Sequence, residues 1–275
     1  MNDDIQRAAR AIAGADAILI GAGAGMGVDS GLPDFRGKAG FWQAYPVFEN
    51  LGIAFHEVAT PALFHVEPHL AWGFYGHRLN LYRRTVPHRG FQILQDFCRD
   101  KPHFVFTSNV DGHFQKSGVS SQAIEEYHGS IHHLQCADLR DCPAPPAIWS
   151  ADETSITVDE ETLRAREPLP SCPRCRQVAR PNILMFGDTG WISDRSDAQR
   201  KRFAQWQNSI RGKSVVIEIG AGTAIPSVRR PCETFAQQND ATLIRLNPRE
   251  ADGPSGTISL RSNALAALKL IQAER

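Results

Sequence analysis

The stretch GAGAGMGVDSGLPDFRG, residues 21–37, follows the apolar run Ala17-Ile18-Leu19-Ile20 and sets glycine at positions 21, 23, 25 and 27. A buried strand that runs into bare backbone is a common opening of nucleotide-binding α/β domains, because main-chain N–H groups without side chains can come close to a phosphate. Two phosphate loops are ruled out by register. The dinucleotide fingerprint needs glycine at relative positions one, three and six, and the sixth residue is Met26 from Gly21, Val28 from Gly23 and Ser30 from Gly25. The P-loop pattern fails at Gly212-Lys213-Ser214, where Gln207 stands in place of the first glycine. On these residues alone the segment is either a phosphate cradle of another kind or a tight strand-to-helix turn without a ligand.

Outward from that loop, Ile5, Ala8, Ala9 and Ile12 have helical spacing and Gly14 is placed to end the helix. Three further apolar runs bounded by turn residues read as buried parallel strands: HFVFTS (103–108), SVVIEIGAG (214–222) and ATLIRLN (241–247). Enough chain separates them for crossover helices, which predicts an α/β fold built on a Rossmann-like, doubly wound parallel sheet. Ligands in such sheets lie at the carboxyl ends of the strands. Gly21–Gly27, Ser108–Asp111, Gly220–Ala224 and Asn247 should therefore converge on one crevice. Residues 38–84, rich in aromatics and histidine, read as short helices and loops. Residues 131–180 hold four cysteines and read as a small insertion. The expected organisation is a nucleotide-binding domain from 1–37, 85–130 and 181–275, with a helical insertion (38–84) and a zinc-binding insertion (131–180) forming a small second domain.

At 275 residues the chain is long enough for a sizeable core. Its 30 Lys plus Arg balance 30 Asp plus Glu, so there is no broad basic field of the kind that binds nucleic acid non-specifically. The acidic start lacks the features of a secretion signal, and no run approaches the roughly eighteen apolar residues of a membrane span. The expectation is a cytoplasmic protein with no nucleic-acid or membrane partner. In a reducing compartment, four clustered cysteines point to metal rather than disulfides. Cys172-Pro-Arg-Cys175 has the spacing that lets two thiolates reach one tetrahedral zinc ion, and Cys136 and Cys142 lie about thirty residues earlier. Cys98 and Cys232 lie outside the cluster and read as buried thiols.

The string from Gly23 to Gly37, together with TSNVDGHFQKSG (107–118) and HGSIHHLQC (128–136), resembles the sirtuins, a family that uses NAD to remove acyl groups from lysine. The resemblance runs from about residue 5 to the C-terminus. It implies that Gly23, Ala24 and Gly25 hold the NAD diphosphate, and that Asp34, Phe35 and Arg36, after Pro33, close over its nicotinamide end. The ring of Phe35 would shield the reacting carbon from water. Asn109 and Asp111 match the pocket that receives nicotinamide, with Asn109 also assigned to catalysis, and Ser108 stands where relatives carry Gln. His128 matches the general base, whose ordinary pKa of ~6.5 suits proton transfer near neutrality. Its neighbours His132 and His133 read as structural. Gly222, Thr223, Ala224 and Asn247 match the remaining nucleotide contacts. Phe186 and Gly187, in MFGD (185–188), match a segment that pairs with an acyl-lysine peptide as an added strand.

Tyr75-Gly-His-Arg78 is similar to the element with which desuccinylating and demalonylating sirtuins hold an acidic acyl group. A hydroxyl and a guanidinium three apart share one helical face. Arg78 paired with a nearby acid is the alternative. The resemblance implies a monomeric NAD-dependent protein-lysine deacylase acting on acyl-lysine proteins, which releases nicotinamide, O-acyl-ADP-ribose and free lysine, with zinc in a structural role. The rivals are an ADP-ribosyltransferase or NAD hydrolase, suggested by Gly27, Ser108 and Ala224, and a non-catalytic NAD or ADP-ribose sensor.

Overall fold

A computed structural model describes residues 2–33, 37–50, 52–143 and 145–275. Asp34, Phe35 and Arg36 lie outside the described residues. The strands, in chain order, are β1 (Ala17–Ala22), β2 (His103–Thr107), β3 (Ile124–Glu126), β4 (Gly129–Cys136), β5 (Ile148–Ser150), β6 (Val158–Asp159), β7 (Arg164–Ala165), β8 (Ala179–Ile183), β9 (Ser214–Ile219), β10 (Thr242–Leu246) and β11 (Ile258–Leu260). Six of them form one sheet in the order β11-β10-β9-β1-β2-β3, parallel throughout. The chain winds outward from β1 to β3, crosses back to β9 and winds the other way to β11. The reversal falls between β1 and β9, where two loops leave neighbouring strands in opposite directions and open a crevice.

The strands read as continuous apolar runs because both faces of the sheet are covered. With side chains alternating along each strand, Ile18, Ile20, Val105, Ile217 and Ile244 pack with residues of the helices Asn2–Ala13, Arg89–Cys98 and Ala264–Ala273. On the opposite face Leu19, Phe104, Phe106, Val216 and Leu243 pack with Phe203 of Asp194–Ser209 and with Cys232 and Phe235 of Arg229–Gln238. The four expected strands are present. The edge strands β3 and β11 escape sequence reading because three residues carry no usable period.

A further core gathers residues from the 37–84 stretch and the small sheets, among them Phe41, Phe48, Phe64, Trp72, Phe74, Tyr75, Ile131 and Leu134. Four short helices (Gly37–Ala44, Pro46–Asn50, Phe55–Val58, Leu63–Val66) lead to one of 17 residues, Pro68–Arg84. That last helix is buried on most of its circumference, which is why it shows no polar stripe. Trp72 donates its indole N–H to the Ala179 carbonyl at 2.8 Å, joining the helix to the antiparallel sheet β5-β4-β8. Among the described residues no helix is long and apolar enough to cross a membrane.

Candidate active site

The crevice at the carboxyl ends of β1 and β9 is closed by backbone against backbone. Gly220 takes φ +61°, and a Cβ placed on it would stand 2.4 Å from the Gly25 Cα; one on Gly25 would stand 2.7 Å from the Gly220 Cα. The Gly25 N–H donates to the Gly220 carbonyl at 3.1 Å. Glycine at 23, 25 and 220 is thus demanded by the approach of two loops, before any ligand is considered. The neighbouring loops are tied to the same point. Thr107 Oγ1 donates to the Ala22 carbonyl at 2.9 Å and accepts the Asn109 N–H, while the Asn109 amide donates to the Gly23 carbonyl at 3.0 Å. Asn247, wholly buried, donates to the Ala221 carbonyl at 2.9 Å and accepts the N–H groups of Arg249 and Glu250. Its side chain braces the loops rather than lying open to the crevice. Thr223, exposed on the rim, donates its hydroxyl to Glu250.

A cavity of about 330 Å³ lies beside this junction, lined among others by Ala24, Ser108, Asn109, Asp111, His128, Tyr75, Arg78 and Phe186. These residues come from five separate stretches of sequence. His128 is half-buried at the turn between β3 and β4. The next residue, Gly129, has φ +81° and lies against the Asn182 carbonyl, 2.2 Å from where a Cβ would stand, so only glycine lets β8 pair at this point. The His128 carbonyl accepts the Leu184 N–H at 2.9 Å. Burial lowers the His128 pKa from its ordinary value, with the Ser108 backbone opposing, so the ring is neutral near pH 7. Asp111 is buried, with Oδ1 accepting the His113 N–H at 2.9 Å; burial raises its carboxyl pKa and the His113 ring opposes the rise.

At another wall of the cavity, Arg78 is 8% exposed and donates from Nε to the Tyr82 hydroxyl at 2.9 Å. Its guanidinium carbon lies 5.2, 5.8 and 5.4 Å from the ring centres of Phe74, Tyr75 and Tyr82, a cationic centre walled by aromatics. Burial pushes the Tyr75 hydroxyl up to about 12, so it stays protonated and can donate. Tyr82 is absent from the sequence-derived set, although its position four residues after Arg78 on the same helix was a usable signal.

Phe186 is 41% exposed, donates its N–H to the Ala59 carbonyl at 2.9 Å and meets the Phe55 ring edge-on. Gly187, at φ +64°, faces open space. The loop is held from beneath by a buried ion pair that sequence reading missed. Arg180 donates from both Nη atoms to Asp188 at 2.7 and 2.8 Å, and Asp188 also accepts the N–H groups of Met185 and Gly190. Gly27 is buried with the Leu32 side chain over it, 3.1 Å from a would-be Cβ, so a larger residue there would have to displace Leu32. The adjoining turn is pinned by His88, which accepts the Gly90 N–H through Nδ1 and donates from Nε2 to the Met26 carbonyl, both at 2.9 Å.

Away from the cavity, the sulfurs of Cys136, Cys142, Cys172 and Cys175 lie within 4.8 Å of one another, with Cys136 and Cys175 at 3.6 Å. Four thiolates bonded at about 2.3 Å to a tetrahedral ion stand about 3.8 Å apart, so the donor set fits one soft divalent cation.

The Sir2 family matches residues 23–222. The NAD-dependent protein deacylase of Thermococcus kodakarensis is 31% identical over 280 residues, covering 98% of this chain and 97% of that protein. The enzyme of the same name from Aquifex aeolicus is 30% identical over 230 residues, covering 83% and 82%. A solved structure concerned with sirtuin substrate affinity superposes with a TM-score of 0.66 at 19% identity, over 94% of this chain and 93% of that one. Sir2 bound to an inhibitor, 2′-O-acetyl-ADP-ribose and a deacetylated peptide superposes at 0.61 and 18%, over 94% and 92%. The chain has the sirtuin fold and belongs to the Sir2 family.

Asp188→Ala leaves the Arg180 charge buried without its partner, and such a loss costs about 3–5 kcal/mol. Urea unfolding should register a fall of that order. A change under about 1 kcal/mol would mean that the pair does not hold the loop.

Proposed function

We propose that the protein is an NAD-dependent protein-lysine deacylase that accepts acidic acyl groups. The observation that carries this is the single cavity shared by Ser108, Asn109, Asp111 and His128 on one side and by Tyr75 and Arg78 on the other. In this reading the backbone of Gly23, Ala24 and Gly25, with Gly222, Thr223 and Ala224, holds the diphosphate, and Asn247 shapes the loop against the adenosine side. The sirtuin resemblance assigns Asp34, Phe35 and Arg36, which lie outside the described residues, to the reacting end. When bound, NAD supplies an electrophilic ribose carbon and a nicotinamide leaving group. Asn109 and Asp111 border the space into which that group departs. His128, kept neutral by its surroundings, takes a proton from a ribose hydroxyl. Phe186 and Gly187 offer backbone to an extended acyl-lysine peptide, and the apolar side chains of Leu184 and Phe186 exclude water from the lysine stem. Zinc on Cys136, Cys142, Cys172 and Cys175 stabilises the 131–180 segment, which with the 38–84 helices forms the smaller lobe beside the nucleotide-binding one.

The acidic-acyl preference rests on chemistry. A carboxylate entering an aromatic-walled cavity of low polarity needs a cation, and Arg78 stands there with the Tyr82 hydroxyl on its Nε and the Tyr75 ring beside it.

Incubation with NAD and acetyl-, succinyl- and malonyl-lysine peptides, with products followed by mass spectrometry, tests the reading. Acyl-peptide-dependent nicotinamide release is the expected result; release that ignores the peptide would point to an NAD hydrolase. His128→Ala should lower turnover by about 100-fold or more with the circular dichroism spectrum unchanged. Because burial favours the neutral ring, the wild-type rate should hold down to pH ~6.5 and fall only below it, as the base becomes protonated. An acid limb centred above that value would assign the proton to another group.

Arg78→Met should cut kcat/KM for the succinyl peptide by about 100-fold while leaving the acetyl peptide within about threefold. Equal losses on both would remove the acidic-acyl preference. Removal of metal by a chelator should lower the melting temperature and release about one zinc per chain; a metal-free preparation of undiminished stability would refute the zinc assignment.

A further inference from the structure

A second cavity, of about 630 Å³, opens on the far side of Tyr82 and Asp111, two residues that line the active cavity as well. Its size lies within the range of small-ligand sites. Its walls bring together Arg83 from the end of the long helix, Lys116 from the turn after β2, His132 and His133 from β4, and Arg195 and Arg202 from the helix Asp194–Ser209. The chain as a whole carries equal numbers of acidic and basic residues, so four cations around one cavity are a local excess.

The partners of these cations matter more than their number. Arg83 donates to the carbonyls of Thr154 and Ala151, Lys116 to those of Arg83 and Thr85, and Arg202 to that of Ser121 at 3.5 Å. Carbonyl oxygens orient these side chains without neutralising their charge. Among the described residues, Arg195 alone of the four has a carboxylate in contact, that of Glu126. The other acids facing the group are Asp111 in the wall, and exposed Asp152, whose field reaches Arg83 and His133. Arg195 Nη1, Arg202 Nε and His133 Nδ1 are buried with no hydrogen-bond partner among the described residues. A structure that gathers cations, satisfies them with neutral oxygens and leaves buried ring and guanidinium nitrogens unpaired has a place for an anion.

We propose that this cavity is a second ligand site, for a small anion bearing two or more oxyanion groups. Phosphate esters and polycarboxylates share that chemistry. The ligand would sit back to back with the active cavity, against the residue whose backbone carbonyl accepts the His132 Nε2 bond at 2.9 Å, Asp111.

The test is isothermal titration calorimetry on the full chain with inorganic pyrophosphate and, separately, with citrate, using the wild type, Arg202→Glu and Lys116→Gln. At least one anion should bind with a Kd below about 1 mM. Arg202→Glu should weaken that binding by about tenfold or more by reversing a charge in the wall. Lys116→Gln, at an exposed position that keeps a hydrogen-bond donor, should weaken it less, with both variants folded by circular dichroism. Which anion is preferred distinguishes phosphate from carboxylate recognition. Absence of binding by both anions overturns the proposal. So does affinity unchanged in both variants, which would locate the anion on the glycine loop of the active cavity instead.

Discussion

Everything at the active cavity depends on how closely two stretches of backbone approach at the reversal point of the sheet. Gly25 and Gly220 touch without intervening side chains, and their contact holds the loops after β1 and β9 together where the sheet changes winding direction. Ala22, Gly23 and Ala221 then present carbonyls to Thr107, Asn109 and Asn247, so the loops after β2 and β10 take their positions from the same junction. A side chain at either glycine would separate the loops, and the polar residues that converge there would lose a common frame.

From that frame the cavity is built by two different means. The side with Ala24, Ser108 and Asn109 is assembled from loops tied together by hydrogen bonds to backbone carbonyls. The wall with Tyr75 and Arg78 belongs to a helix buried among aromatics, where a charged guanidinium is tolerated because three rings and a hydroxyl surround it. The loop that carries Phe186 and Gly187 is shaped by neither. The Arg180–Asp188 pair sets its curvature from beneath, and a bidentate contact between buried charges is rigid enough to hold backbone that no regular strand supports.

Some of this was legible in the residues. The strands β1, β2, β9 and β10 are apolar on both faces and stand out as runs, and the polar residues following them converge as strand-end chemistry requires. The cysteine spacing led directly to the sulfur cluster. The glycines were harder. Their spacing suggested close approach to a phosphate, whereas their nearest neighbour within the chain is another glycine loop. Gly27, one of the residues that suggested a rival activity, has a packing reason in the Leu32 side chain above it. Tyr82 could have been found from its spacing to Arg78 on one helix, but Arg180 and His88 gave no sequence signal, since each owes its place to a partner on another segment.

The sequence by itself determined the doubly wound sheet, the glycine-rich crevice and the metal-competent cysteines, because apolar runs, glycine and thiol spacing express local geometry and local chemistry. Only the tertiary structure decided that Tyr75 and Arg78 share a cavity with His128, that Asp188 is locked to Arg180, and that Arg83, Lys116, Arg195 and Arg202 surround a second one. Those juxtapositions join segments far apart in the chain. They arise from packing between elements, for which no periodicity along the sequence is a record.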